Sequence, residues 1–114
     1  MDTILTSIKK QIGIDESSTD FDDQVVLAIN MAISVLTQIG IGPSSGFMLQ
    51  TKNETWEDYI SDLETSPRFI QVQSYIYCRT KLLFDPPASK TMFDALQSLA
   101  TELEWRLKTE SEKS

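Results

Sequence analysis

At 114 residues the chain has the size of one ordinary domain, long enough to bury a hydrophobic core without disulfide or metal staples. Hydrophobic residues at 40% and charged residues at 24% exclude global disorder, and ten Lys and Arg against seventeen Asp and Glu, a formal charge of −7, argue against a domain that wraps nucleic acid. No histidine is present and Cys78 is the single cysteine, so the commonest general base, an intrachain disulfide and a multi-cysteine metal site are all absent.

The segment 4–14 is broken by Thr6, Ser7, Lys9, Lys10 and Gln11 and has no apolar export core. No window approaches the roughly 20 apolar residues of a membrane span. The expected setting is a reducing cytosol, or an assembly made there, with no membrane partner.

Within that first segment Ile4, Leu5, Ile8 and Ile12 share one helical face, and Gly13 supplies a stop. The polar stretch 15–19 offers Ser, Thr and Asp as N-caps for the next helix. There Phe21, Val25, Ile29, Ala32, Ile33, Leu36 and Ile39 recur at three- and four-residue steps, Asp22 and Asp23 suit the positive end of the helix dipole, and Gly40 ends the run. A long loop at about 40–54 follows: Gly40-Ile41-Gly42-Pro43-Ser44-Ser45-Gly46 does not sustain a helix, and the apolar triplet Phe47-Met48-Leu49 is stranded within it. The triplet reads as a short strand or as the part that meets a partner.

Thr55 or Asn53 caps a short acidic helix carrying Trp56, Tyr59, Ile60 and Leu63, and Ser66-Pro67 opens the next. That helix, at about 68–84, is apolar over much of its circumference and is expected to be central, stopped by Asp85-Pro86-Pro87. Ser89 caps a last helix in which Met92, Leu96, Leu99, Leu103 and Leu107 form the stripe, with Glu102–Arg106 and Glu104–Lys108 as outer pairs. Residues 109–114 read as a polar, flexible tail. The fold class is all-α: one domain, 1–114, built as a small bundle of four to five helices around the helix at 68–84.

The search for chemistry yields no catalytic, cofactor or metal site. Ser45 has no base to activate it and reads as a turn residue. Gly40-Ile41-Gly42 completes no phosphate-loop pattern. A calcium loop begun at Asp20 would need Gly and Glu where Val25 and Met31 stand, so Asp20, Asp22 and Asp23 read as first-turn acids. Glu57, Asp58, Asp62 and Glu64 read as a solvated helix face. Cys78 is expected to be a buried thiol. Arg79 either snorkels out or finds a carboxylate, with Asp85 and Asp94 as candidates. Trp56 is expected in the core and Trp105 on the surface.

The chain resembles the small head–tail connector proteins of tailed bacteriophages, also called DNA-packaging adaptors or head-completion proteins. The resemblance lies in Ile8-Lys9-Lys10-Gln11-Ile12-Gly13-Ile14, in Phe21-Asp22 leading to Ile29-Asn30-Met31-Ala32, and in Leu36-Thr37-Gln38-Ile39-Gly40-Ile41-Gly42-Pro43. It continues through Thr55-Trp56-Glu57-Asp58 and, most strongly, Tyr75-Ile76-Tyr77-Cys78-Arg79-Thr80-Lys81-Leu82-Leu83-Phe84-Asp85-Pro86-Pro87, then Leu103-Glu104-Trp105-Arg106-Leu107.

It implies a non-enzymatic virion subunit at the head–tail junction, assembled in the bacterial host cytoplasm into a ring of about twelve copies. The ring docks under the portal, extends the DNA channel and meets the next head-completion or tail protein. DNA passes through without specific binding, as an acidic wall would favour. On this resemblance Phe47, Met48 and Leu49 are candidates for contact with neighbouring subunits or the next component. Trp105, Arg106, Leu107 and Lys108 are candidates for portal docking. Two readings compete: a cytosolic helical adaptor that forms no ring, and a DNA-binding regulator built on short helices, which the scattered and outnumbered basic residues oppose.

Overall fold

The computed structural model describes residues 3–61 and 68–113. Five helices follow in order: α1 (Ile4–Ile12), α2 (Asp22–Gln38), α3 (Trp56–Tyr59), α4 (Phe69–Phe84) and α5 (Lys90–Lys113). The all-α expectation holds. Among the described residues the nearest approach to a sheet is one antiparallel bridge, Thr3 to Thr55. Leu63 and Ser66-Pro67, expected to extend the short helix and to open α4, lie outside the described residues.

The apolar periodicity places the core. All four predicted residues of α1 (Ile4, Leu5, Ile8, Ile12) are buried, and so are Val25, Ile29, Ala32, Ile33 and Leu36 of α2. Each Val, Leu or Ile side chain among them contributes about 1.5–3 kcal/mol on leaving water, and the Ala32 methyl less. Thr3 caps α1 through its hydroxyl, and Gly13 closes it with φ 86°, the left-handed geometry that favours glycine.

Helix α4 is central, packing against α1, α2 and α5. Its neighbours sit on opposite sides. Tyr75 hydroxyl donates to Glu104 of α5 at 2.8 Å, while Phe84 meets Phe21, the N-cap residue of α2, edge-on with ring centroids 5.6 Å apart. Positions 75 and 84 are half a turn out of phase at about 100° per residue, so α2 and α5 flank α4 from opposite faces. The apolar circumference of α4 is nevertheless not wholly covered: Ile70 and Leu83, near its two ends, are exposed.

Other expectations change for identifiable reasons. Residue 21, not a residue of 15–19, takes the N-cap position of α2, without a side-chain cap. Asp15 is used locally, its Oδ1 accepting from the backbone and hydroxyl of Ser17, which hold its carboxyl below the usual range. In α5, Ala100, Leu103 and Leu107 form the buried stripe, whereas Met92 and Leu99 face out. Glu104 bonds Tyr75, so the expected pair with Lys108 gives way, while Glu102–Arg106 forms at 2.9 Å. Residues 109–113 continue α5, and Ser111 Oγ lies 3.5 Å from Gly40 O.

One interaction had no sequence expectation. Lys9, on the buried side of α1, directs Nζ inward to Asp22 Oδ1 at 2.8 Å, Ser18 O at 2.5 Å and Glu16 O at 3.2 Å. All three ammonium donors are used, and the Lys9 and Asp22 side chains are only 3% and 9% exposed. Asp22 is therefore more than a helix-dipole acid: its buried ion pair fixes the 13–21 turn between α1 and α2.

Candidate functional site

The long loop is built inward rather than left loose. Asn30, on α2, accepts from Leu49 N at 2.7 Å through Oδ1 and donates to Leu49 O at 3.1 Å through Nδ2. This side-chain amide pairs with one residue's backbone as a strand neighbour would, which satisfies Leu49 and drives its side chain into the core. Phe47 stacks on Tyr59 with centroids 5.0 Å apart. Glu54 turns the following segment: its carboxylate accepts from Gln50 N at 2.8 Å and Thr51 N at 3.1 Å. Burial opposes the charged form of Glu54, but these backbone donors outweigh it together and hold the carboxyl below its usual range.

The three residues of the apolar triplet thus have three fates. Leu49 is buried, Phe47 is half-buried against Tyr59, and Met48 alone is exposed. Met48 and Phe47, with Asn30, Ser34, Thr37 and Gln38 of α2, line a shallow depression on that side of the helix.

Gly42 explains the close approach of the 40–43 turn. Its φ is 90°, and a Cβ there would stand 2.7 Å from Tyr59 Cε1. Tyr59 itself is buried, and burial pushes its phenol well above the ordinary value. Thr55 and Asp58 form a capping box around α3, Thr55 N donating to Asp58 Oδ2 at 2.9 Å and Asp58 N donating to Thr55 Oγ1 at 3.2 Å. Asp58 is therefore committed to backbone geometry, while Asp62 and Glu64 lie outside the described residues. Ser45 sits exposed in the turn where Gly46 N donates to Pro43 O.

The α5 candidates divide in the same way as the loop triplet. Trp105 is 66% exposed, Lys108 is exposed and Arg106 is held by Glu102, whereas Leu107 is fully buried in the core and presents nothing to a partner. Trp56 is buried, meeting Phe69 edge-on at 6.0 Å, as expected for the core tryptophan. Cys78 is buried, and burial pushes its thiol up. The carboxylates considered for Arg79 bind elsewhere: Asp85 pairs with Lys81 at 2.8 Å and Asp94 with Lys90 at 2.7 Å.

A surface missed from sequence lies between α2 and the end of α4. Phe21, Gln24, Leu27, Ala28, Met31, Leu83 and Phe84 line an open groove of about 480 Å³. Leu27 and Met31 carried a signal: they sit at helical spacing but outside the buried stripe, which makes the α2 sequence apolar on more than one face. Among the described residues no group of three acidic or Cys side chains converges as a metal site, and no helix is long and apolar enough to cross a membrane.

The described surfaces are thus grooves and exposed apolar side chains suited to protein contacts. Comparison with curated proteins and with solved structures gives no match. A family model, described as phage connector protein, matches residues 4–114, nearly the entire chain. The chain belongs to the phage connector protein family.

Proposed function

We propose that this protein is a subunit of a ring, about twelve-fold, that docks beneath the phage portal, extends the DNA channel and joins the head to the next head-completion or tail protein. The observation that carries this reading is membership of the connector family over residues 4–114. The exposed apolar side chains at Leu27, Met31, Leu83 and Trp105 support it, because a monomer gains nothing by keeping them in water. The net charge of −7 supports it too: a channel wall that repels phosphates lets DNA slide, whereas a basic one would retain it.

On this reading the protein acts at the head–tail junction of the virion, has no enzymatic role, and is made in the host cytoplasm before joining the portal. Met48, Trp105, Arg106 and Lys108 are the sequence-derived candidates whose side chains are exposed, and on this reading they meet the portal or the next component. Inactivating the gene in the parent phage tests the role. Joined particles should be lost, with heads and tails accumulating separately, and complementation in trans should restore them. Normal yields of joined virions without the protein would overturn the reading.

A further inference from the structure

We propose that the turn between α1 and α2 is an ammonium-binding site whose ligand is the tethered cation of Lys9, and that a free primary alkylammonium ion takes the site when that side chain is shortened. The inference is independent of the assembly role and concerns what orders the N-terminal third of the chain.

Its first support is the number and kind of groups that converge. Lys9 Nζ meets Asp22 Oδ1 at 2.8 Å, Ser18 O at 2.5 Å and Glu16 O at 3.2 Å. An ion pair needs only the carboxylate. Here two backbone carbonyls also turn onto the same nitrogen, so each ammonium proton has an oxygen. Carbonyls and a carboxylate gathered from one short segment around one cation are the construction of an oxygen-lined cation loop. A single carboxylate with two carbonyls suits a singly charged donor of three hydrogen bonds.

The second support is what the segment lacks. Residues 15–21 bury no hydrophobic side chain: Ser18 is half-buried and the rest are exposed, Phe21 among them. Ser18 N donates to Asp15 O at 3.0 Å and Asp22 N to Thr19 O at 3.3 Å, bonds that shape the turn without joining it to the bundle. The surface pair Lys10–Glu16, at 3.2 Å, is half-exposed on both sides and worth little. A polar segment with no apolar anchor holds one conformation through its polar groups, and here those of Glu16, Ser18 and Asp22 point at one nitrogen.

Enclosure supplies the third. The Lys9 and Asp22 side chains are 3% and 9% exposed, so water competes little with whatever cation fills the site. The site also lies at the root of α2, whose N-terminus has no side-chain cap. Asp22 is the first residue of that helix, so the cation fixes where α2 begins. With it goes Phe21, which lines the α2/α4 groove and meets Phe84.

Chemical rescue tests the site. Lys9→Ala empties it, and n-propylammonium supplies the carbons and nitrogen that the substitution removes. Tetramethylammonium, which has no N–H donor, is the control at equal ionic strength. The proposal expects the melting temperature of Lys9→Ala to rise saturably with n-propylammonium, by about 5–10 °C at about ten times the dissociation constant. Amide signals of residues 16–22 and the ring signals of Phe21 should move toward their wild-type positions in the same titration. Adding Asp22→Asn to Lys9→Ala should weaken that binding by about tenfold or more. The wild-type protein, its site already filled, should respond no more than to the control.

An equal response to tetramethylammonium, or an equal response from the wild type, would reveal a general salt effect and overturn the proposal. A Lys9→Ala chain that gains nothing from n-propylammonium would overturn it too. The wild-type chain gives a measurement that does not depend on the variant's folding. With its protons all bonded, the Lys9 ammonium should exchange slowly enough with water to give its own proton–nitrogen NMR signal. Exchange as fast as that of the exposed Lys108 would overturn the site.

Discussion

The Lys9–Asp22 pair gives the sharpest test of how this chain holds its N-terminal third together. Lys9→Met keeps the aliphatic stem but removes the ammonium, leaving Asp22 charged and nearly buried, and Glu16 O and Ser18 O without their donor. Removing one partner of a buried ion pair costs about 3–5 kcal/mol, far above the 0–1 kcal/mol of an exposed pair such as Lys10–Glu16. Against a total stability of about 5–15 kcal/mol that is a large share. It corresponds to a fall in melting temperature of roughly 10–20 °C for a domain of this size. Asp22→Asn should cost less, since the amide oxygen still accepts from Nζ, and Lys9→Met with Asp22→Leu should recover most of the loss. Thermal and urea denaturation followed by circular dichroism give the values, and the double-mutant cycle gives the coupling. A loss below about 1 kcal/mol for Lys9→Met would refute the reasoning, because it would mean that the pair behaves as a solvated surface contact.

Three further predictions concern the loop. Asn30→Ala removes both side-chain bonds to Leu49 and should destabilise by about 1–3 kcal/mol, with hydrogen exchange at the Leu49 amide rising more than at core amides of α4. Gly42→Ala forces a Cβ onto the Tyr59 ring at a positive φ, so it should lower the melting temperature, and Tyr59→Leu in the same chain should relieve part of the clash. Glu54 has a folded-state value below its ordinary 4.5, so its contribution is present above that pH and is lost as the pH falls through the depressed folded value. A pH titration of loop amide shifts by NMR should therefore show residues 50–54 loosening in acid, and Glu54→Gln should flatten that response.

Helices were legible in this sequence because each carries its own period and stops. Ile4, Leu5, Ile8 and Ile12 share a face, Gly13 closes the turn and Pro86-Pro87 ends the central helix, all through local physics that one chain segment contains. What was not legible depends on contacts between distant segments. Lys9 looks like a solvated helix residue until Asp22 and two carbonyls converge on it. Asn30 looks like a polar residue on an apolar helix until Leu49 returns to it. Stripe membership in α5 was mistaken at Met92 and at Leu99, which face out: Leu99 is the better hydrophobe, but the register of α5 on the core buries its neighbour Ala100.

The candidate surfaces followed the same division. Trp105 was identifiable as exposed because it falls off the Leu103–Leu107 stripe, a one-helix argument. Leu49 and Leu107 were grouped with exposed neighbours because proximity in sequence says nothing about which way each side chain turns. The α2/α4 groove went unseen because it needs Leu83 and Phe84 beside Phe21 and Leu27, residues brought together only by packing.

The central claim is that this protein forms a collar on the portal. The most direct measurement is co-sedimentation of the purified protein with the portal ring of the same phage, with the pellet imaged by negative stain. The account predicts saturable binding and a closed ring of density, about twelve copies, on one outer end of the portal. Protein that stays in the supernatant at concentrations well above the micromolar range of a weak single-subunit contact would contradict it.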